Sequence, residues 1–167
     1  MIRTQIRLNL TLLLVITFVP TIPWAQEQAS LTTTDSAAIR QVITGFADSY
    51  NRHSAQDVAK WFTQDADFTT VRGATTTGRT QIEEHFVPLF AGRLKDVHRE
   101  LSVRSMRLMT PGVVSVYIDS EVTGTKGVDG SAIPAHKGLY DWILTKPGDR
   151  WLINVFHESD LPSPPPS

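Results

Sequence analysis

The spacing of apolar residues changes once along this chain, from a helical period in the first half to strict alternation in the second. Between residues 35 and 51 apolar side chains recur every three or four positions, which places them on one side of an α-helix. These residues are Ile39, Val42, Ile43, Phe46 and Tyr50. Thr34 or Asp35 is expected to cap the start of this helix. From residue 97 onward the period is two, which indicates strands joined by short turns.

The remaining elements follow from the same patterns. Helices are predicted over Ala55–Phe62, where Ser54 and Asp57 resemble a capping box, and over Arg79–Ala91. Strands are predicted over Ala66–Val71, Val97–Met109, Val113–Thr123, Ala135–Thr145 and Arg150–Ser159. A shift of apolar parity predicts a bulge near Ser105. Helices followed by hairpin-linked strands are typical of an α+β fold, here a strongly curved antiparallel sheet wrapped around three N-terminal helices, with a hollow inside.

The last predicted strand ends in a titratable side chain. Strict alternation puts Trp151, Ile153, Val155 and His157 on one face, and Leu152, Asn154, Phe156 and Glu158 on the other. Its apolar character predicts a strand in the middle of the sheet. On this reading His157 lies at the rim of a pocket whose wall is otherwise apolar.

The ends of the chain differ in composition from the part between them. Residues 1–25 combine Arg3 and Arg7 with an apolar run over residues 8–19, which predicts a signal peptide, with an uncleaved N-terminal anchor as the alternative. Residues 26–34 form a polar leader, residues 35–160 the domain, and residues 161–167, with four prolines, a disordered tail. We therefore expect an exported protein, periplasmic or secreted.

Charge and cysteine content exclude several classes of function. The net charge is −1, and it becomes −3 without residues 1–25, which argues against nucleic acid or an anionic membrane surface as the partner once the signal is cleaved. Since the chain has no cysteine, disulfides, thiolate catalysis and cysteine-bound metals are ruled out. The histidines form no His-x-His or His-x-x-x-His pair, so no metal site is expected.

Two glycine-rich cofactor-binding patterns are incomplete or missing in this sequence. Residues 73–80 approach a phosphate-binding loop, but Arg79 replaces the required lysine, which favours a flexible turn. No Gly-x-Gly-x-x-Gly motif follows a strand, so no nicotinamide or flavin cofactor is expected.

Motifs spread over residues 35–160 resemble the nuclear transport factor 2-like superfamily, in its SnoaL-like branch and SgcJ/EcaC-type group. They are Ala38-Ile39, Phe46-Ala47, Tyr50-Asn51-x-His53, Trp61-Phe62, Asp65-Ala66-Asp67, Gly73, Gly78, Ile82, His85, Trp151-x-Ile153 and His157. The resemblance implies a cone-shaped fold and dimerisation through the outer side of the sheet. It does not imply one reaction, because the superfamily includes cyclases, isomerases, dehydratases, epoxide hydrolases and purely binding members. Members of the family usually end in a sequence close to His-Asn-Ser or His-Asn-Thr. This chain departs from that pattern, because it has His157-Glu158-Ser159.

The candidate catalytic residues are His157, Asp67 and Tyr50. His157 and Asp67 would move protons, and Tyr50 would donate to an oxyanion. The alternatives are a histidine hydrogen-bonded between the last strand and the first helix, an aspartate that caps a turn, and a core tyrosine. The candidate ligand-binding residues are Trp61, His85, Phe86, Tyr140 and Trp142, with a core position as the alternative for Trp61 and His85.

Two strand faces allow different readings. Tyr140, Trp142 and His136 share a face that either lines the cavity or packs against a second subunit. Tyr117, Asp119 and Glu121 are expected to form a solvated face.

Together these patterns predict a homodimer whose cavity binds a small, mostly apolar organic molecule. Cofactor-free acid–base chemistry, as an isomerase, cyclase or hydratase, is one hypothesis. The rival is a non-enzymatic module for ligand binding, dimerisation or assembly. An open pocket with inward-pointing polar groups would favour the enzyme, and a solid interior would favour the rival.

Overall fold

The computed structural model describes residues 30–162. The predicted signal peptide, most of the leader and the end of the tail lie outside these residues. The helices are α1 (Thr33–Asn51), α2 (Ala55–Ala59) and α3 (Arg79–Ala91). The strands are β1 (Phe62–Thr69), β2 (Thr75–Thr77), β3 (His98–Thr110), β4 (Val113–Thr123), β5 (His136–Thr145) and β6 (Leu152–Asp160). No helix among the described residues is long and apolar enough to cross a membrane.

The three predicted helices are confirmed: α3 has the predicted bounds, α1 begins two residues earlier than predicted, and α2 ends earlier. The prediction of Thr34 or Asp35 as cap is wrong: Thr32 is the N-cap, and its Oγ1 accepts a hydrogen bond from Asp35 N at 3.0 Å. The Ser54 cap of α2 is confirmed, since its Oγ accepts from Asp57 N. This helix is shorter than predicted because Phe62 already belongs to β1.

The sheet has six strands in the order β2-β1-β6-β5-β4-β3, and the α+β class is confirmed. The central position of β6 is confirmed, and so is the bulge near Ser105, where the β3–β4 register shifts. One pairing differs from the prediction, because β1 runs parallel to β6 and the sheet is mixed. The sequence analysis also missed β2, a three-residue strand of threonines in the turn before α3.

Aromatic side chains fill the space between the sheet and the helices. Phe46 of α1 lies near the centre, with its ring centroid 5.0 Å from Trp142 and 5.3 Å from Phe156. Phe156 in turn lies 4.8 Å from Phe68. Each of these side chains is at most 2 % exposed. The predicted hollow is therefore occupied by the protein's own side chains.

A glycine inside α1 makes room for the indole of Trp61. A Cβ on Gly45 would lie 2.0 Å from Trp61 Cζ2, well inside contact distance. The indole is held in place because its Nε1 donates to Ser49 Oγ at 3.1 Å, and Ser49 Oγ donates to the Gly45 carbonyl at 2.7 Å. The core reading of Trp61 fits this packing.

Asp35 ties the start of α1 to the hairpin between β5 and β6. Lys146 Nζ and Trp151 Nε1 donate to its Oδ1 at 2.9 and 2.8 Å, and Thr32 Oγ1 donates to its Oδ2 at 2.8 Å. These hydrogen bonds, that from Lys146 first, hold the pKa of Asp35 down at about 2. The carboxylate therefore favours the folded state only where it is ionised.

We predict that Gly45→Ala destabilises the protein although alanine is the better helix former. The gain in helix propensity is about 1 kcal/mol, and the clash with Trp61 costs about 1 to 3 kcal/mol. Urea unfolding measures the difference, with Thr44→Ala at the neighbouring exposed position as control. A Gly45→Ala variant as stable as that control would show that the indole moves freely.

We predict that Asp35 contributes stability above about pH 4 and loses it as the pH falls toward 2. The pKa of the folded carboxyl is depressed below the unfolded value, so folding favours its ionised form. In thermal melts at pH 6 the wild type should have a higher Tm than Asp35→Asn. This difference in Tm should shrink between about pH 4 and pH 2. Asp48→Asn, at an exposed position of the same helix, is the control; a gap that stays constant with pH would contradict the prediction.

Candidate functional site

The three predicted catalytic residues do not come together. Tyr50 is 1 % exposed inside the core, whereas Asp67 and His157 are exposed on the opposite, outer face of the sheet. Asp67 accepts a hydrogen bond from Thr77 Oγ1 of β2 at 2.6 Å. The prediction that His157 faces a pocket is wrong, because its side chain points away from the interior.

An extra residue in β6 causes this reversal. Leu144 of β5 is opposite Ile153, but the preceding Ile143 is opposite Val155, so Asn154 has no partner on β5. A bulge of one residue exchanges the faces of everything beyond it. From Phe156 onward the even-numbered residues point inward, which puts Glu158 inside and His157 outside.

Most of the predicted ligand-binding residues are in the core. Tyr140, Trp142 and Phe86 are each at most 2 % exposed, and His85 is partly buried with its ring 5.4 Å from that of Phe68. The alternative in which the face of Tyr140 and Trp142 packs against a second subunit is wrong, because this face is the inner one. Trp61 lies apart, against Gly45.

The sequence analysis missed the charged pair at the centre of this cluster. Arg99 of β3, 6 % exposed, reaches Glu158 of β6 with a distance of 2.6 Å from Nη1 to Oε1. Its Nη2 donates to Tyr50 Oη at 3.2 Å. The guanidinium carbon lies 4.1 Å from the ring centroid of Tyr50 and 5.2 Å from that of Tyr140, both within cation–π distance.

Hydrogen bonds from neighbouring side chains hold Arg99 and Tyr140 in position. Asn51, the last residue of α1, binds both backbone atoms of Arg99: its Oδ1 accepts from the Arg99 N–H at 2.8 Å and its Nδ2 donates to the carbonyl at 3.0 Å. The side chain thus replaces a neighbouring strand at the free edge of β3. Ser120 Oγ donates to Tyr140 Oη at 2.8 Å.

Burial and the ion pair set the charges of the cluster. Burial alone would lower the pKa of Arg99, but Glu158 and the two tyrosines outweigh it and the pKa is raised. Burial raises the pKa of Tyr50 and of Tyr140, so both phenols stay protonated. Burial also lowers the pKa of His85, against the opposing effect of Glu158, which favours a neutral imidazole. The cluster therefore holds one positive and one negative charge.

Two buried donors in this region lack a partner among the described residues: Arg99 Nε and Trp142 Nε1. A buried N–H without an acceptor costs about 1 to 3 kcal/mol, so such groups are uncommon in a native core. What this site offers chemically is an apolar aromatic wall with two N–H groups that could donate to an oxygen acceptor. Arg99 could have been noticed in the sequence, since it shares the parity of Leu101 and Val103; Glu158 could not, because its orientation depends on the bulge.

Two surface depressions are present among the described residues. One of about 420 Å³ is bordered by Arg104, Asp119, Lys137 and Leu161, and also by Ser120, whose hydroxyl donates to Tyr140. Another of about 260 Å³ lies beside Asp35, Leu108 and Trp151. Within residues 30–162, no group of three or more His, Asp or Glu side chains is arranged to hold a metal ion.

Comparison with known proteins gives a family and a fold. A family model described as a SnoaL-like domain matches residues 32–157. A domain of unknown function with a cystatin-like fold from Nostoc punctiforme is 24% identical, with a TM-score of 0.70 over 80% of this chain and 81% of its own. No curated protein matches the chain.

Two further solved structures have the same fold. A ketosteroid isomerase-like protein from Erwinia carotovora is 13% identical, with a TM-score of 0.65 over 79% of this chain and 100% of its own. A candidate calcium/calmodulin dependent protein kinase II association domain from Xanthomonas campestris is 19% identical, with a TM-score of 0.62 over 80% of this chain and 94% of its own. At these identities the likeness concerns the fold.

We predict that Glu158→Ala destabilises the protein by about 3 to 5 kcal/mol, because it leaves the Arg99 charge buried without a counterion. The double variant Arg99→Met, Glu158→Leu should recover most of this loss, since it removes both charges and keeps the volume. Urea unfolding of the wild type and both variants measures the effect. A double variant less stable than Glu158→Ala would contradict the claim that the loss comes from the unpaired Arg99 charge.

Proposed function

Since this chain belongs to the SnoaL-like domain family, whose fold is of the ligand-binding or isomerase type, we propose that it is a non-enzymatic binding and assembly module that forms a homodimer through the outer face of its sheet. The observation that carries the proposal is a group of partly exposed apolar side chains on that outer face, which no helix among the described elements covers. The filled interior supports it, and so does the position of His157 and Asp67, the expected proton carriers, on the other side of the sheet.

The outer face has an apolar centre. Ile143 of β5 and Val155 of β6 are opposite each other and only partly buried, and Leu139 lies on the same face beyond the polar pair Asp141–His157. Tyr117 of β4 adds an aromatic ring that is 43 % exposed. Partly exposed apolar side chains on a sheet face are found at protein–protein interfaces, where tyrosine is enriched.

Charged side chains surround this centre. Arg104 and Asp119 form an ion pair across β3 and β4, and Glu121 is opposite Lys137 on β5. An apolar centre with a polar rim is the usual anatomy of a stable interface. A face that bears both charge signs can pair with its own copy about a two-fold axis, where each patch meets its complement.

Export is part of the proposal and depends on the signal-like residues 1–25. After cleavage the mature protein would assemble outside the cytoplasm, and the small net charge of the mature chain would not oppose the approach of two copies.

Capture of a small, mostly apolar organic molecule is the second candidate function. The unpaired donors Arg99 Nε and Trp142 Nε1 favour it, because a ligand oxygen would satisfy them. The catalytic version, with His157 and Asp67 as proton carriers, has less support, since both residues are on the face opposite Tyr50.

We predict that the intact protein is a dimer in solution and that Ile143→Glu makes it monomeric. A carboxylate at the apolar centre would have to be desolvated in the interface, which weakens the dimer by at least about tenfold. Light scattering after size exclusion, over a range of concentrations, measures the mass. Val128→Glu is the matched control, because Val128 lies in the β4–β5 loop and is 88 % exposed.

Both variants should keep the circular dichroism of the wild type. A wild type that stays monomeric at about 100 μM, far above the Kd of a standard-size interface, would refute the dimer. Dimers formed equally well by wild type and Ile143→Glu would move the interface to another surface.

A further inference from the structure

We propose that one polar contact orients and regulates the outer-face dimer, in which His157 of each copy meets Asp141 of the other. Dimerisation then strengthens as the pH falls from about 8 to about 6 and each imidazole gains a proton. This inference rests on the dimer proposed above, and it adds the direction of the two-fold axis and a dependence on pH.

A polar pair interrupts the apolar residues of the outer face. Asp141 of β5 is directly opposite His157 of β6. Ile143 and Val155 form the next outward pair on one side, and Leu139 lies on the other side. His157 is exposed, and Asp141 is only partly buried. A second copy that covers the apolar residues therefore covers this pair as well.

Covering the pair is costly unless each member meets a charge of opposite sign. A carboxylate that loses its water in an interface is stabilised by a protonated imidazole and destabilised by a second carboxylate. Within one chain Ser115 Oγ donates to Asp141 Oδ1 over a long distance, 3.4 Å, which compensates little for lost water. The two copies are therefore expected to pack so that opposite charges meet.

The sheet register leaves two ways to pack two copies of this face. Aligned sheets that pack face to face keep their strands within about 30° of each other, so the two-fold axis lies in the interface and runs either across the strands or along them. An axis across the strands, through this pair, places Asp141 on the partner's Asp141 and His157 on the partner's His157. An axis along the strands, between β5 and β6, places His157 on the partner's Asp141.

The axis along the strands also matches the surrounding residues. It places Ile143 on the partner's Val155, so that apolar side chains meet. On the flanking strands it places Tyr117 of β4 on the partner's Thr69, because Tyr117 is opposite Asp141 and Thr69 of β1 is opposite His157. The axis across the strands brings like charges together instead, and charge complementarity therefore selects the axis along the strands.

The groups around His157 make it the member of this contact that changes charge near neutral pH. Two carboxylates face it from the neighbouring strands, Asp141 directly opposite on β5 and Asp67 one pair away on β1. Its outward neighbours on β6 carry no charge. The cations nearby, Arg72 in the β1–β2 turn and Lys137 two outward positions from Asp141, keep their charge between pH 6 and 8.

The coupling between protonation and association has a definite sign. An imidazole that meets a second carboxylate in the dimer holds its proton more tightly there than in the single chain, so dimerisation takes up protons. The dimer is therefore strongest near pH 6, where imidazole is charged and carboxyl groups are ionised, and it weakens as the pH rises toward 8.

Analytical ultracentrifugation of the intact protein at pH 6, 7 and 8, at constant ionic strength, measures the Kd of the dimer. The variants are His157→Gln and His157→Lys, both at an exposed position that leaves the core unchanged. His136→Gln is the matched control, because His136 Nε2 lies 3.7 Å from Asp160 Oδ1 on the same two strands but outside the proposed contact.

The Kd of the wild type is expected to rise at least about tenfold from pH 6 to pH 8, because two charge contacts per dimer are lost. His136→Gln should keep this dependence. His157→Gln should have, at every pH, a Kd close to that of the wild type at pH 8. His157→Lys places a permanent cation on the partner's Asp141, so it should dimerise as tightly at pH 8 as at pH 6.

The possible results separate the inference from the dimer itself. A wild-type Kd that does not change between pH 6 and pH 8, or a pH dependence that persists in His157→Gln, would overturn the regulation and leave the outer-face dimer intact. A His157→Lys dimer weaker than the wild type at pH 8 would overturn the axis, since two lysines would then face each other. A wild type that forms no dimer at any of these pH values would overturn both the inference and the proposed dimer.

Discussion

The unpaired residue Asn154 in β6 determines which side chains this sheet presents to its interior. Asn154 Nδ2 donates a hydrogen bond to Thr63 Oγ1 of β1 at 3.0 Å. The backbone N–H of the preceding residue, Ile153, donates to the Trp61 carbonyl at 2.8 Å. These contacts stabilise the bulge at the junction of the parallel β1–β6 pair and the antiparallel β5–β6 pair. Without the extra residue His157 would enter the core and Glu158 would face solvent.

The burial of Arg99 follows from that change of face. An unpaired arginine in an aromatic core would be prohibitively costly, and Glu158 can neutralise it only because the bulge turns Glu158 inward. The stacking of Tyr50 and Tyr140 on the guanidinium and the Asn51 clamp on the Arg99 backbone then fix one arrangement of the pair. One backbone irregularity in β6 therefore makes possible an ionic centre that joins β3, β6 and α1.

Much of the fold could be predicted from the sequence, because α1, α3 and the long strands each have an unbroken period. The Ser105 bulge was visible as well, since apolar residues flank it on both sides. The β6 bulge was not, because Trp151, Leu152 and Ile153 are all apolar and all buried, so no change of parity marks the extra residue. The orientation of Glu158 and His157, and with it the site, depends on how the neighbouring strands pair with β6. Strand pairing is a property of the tertiary structure, so the alternation of residues within one strand does not predict it.

The two faces of the sheet differ in how their apolar side chains are covered. Aromatic rings pack against one another on the inner face and exclude water from it. Among the described residues, the polar groups that remain without a partner there are buried N–H donors. The outer face has no such closure, and its partly exposed apolar side chains remain in contact with water in a single chain. Because burial of apolar area is the larger and less specific driving force, the outer face favours association between copies, while the inner donors favour recognition of one acceptor group. The proposed dimer would therefore use none of the residues that surround the inner donors.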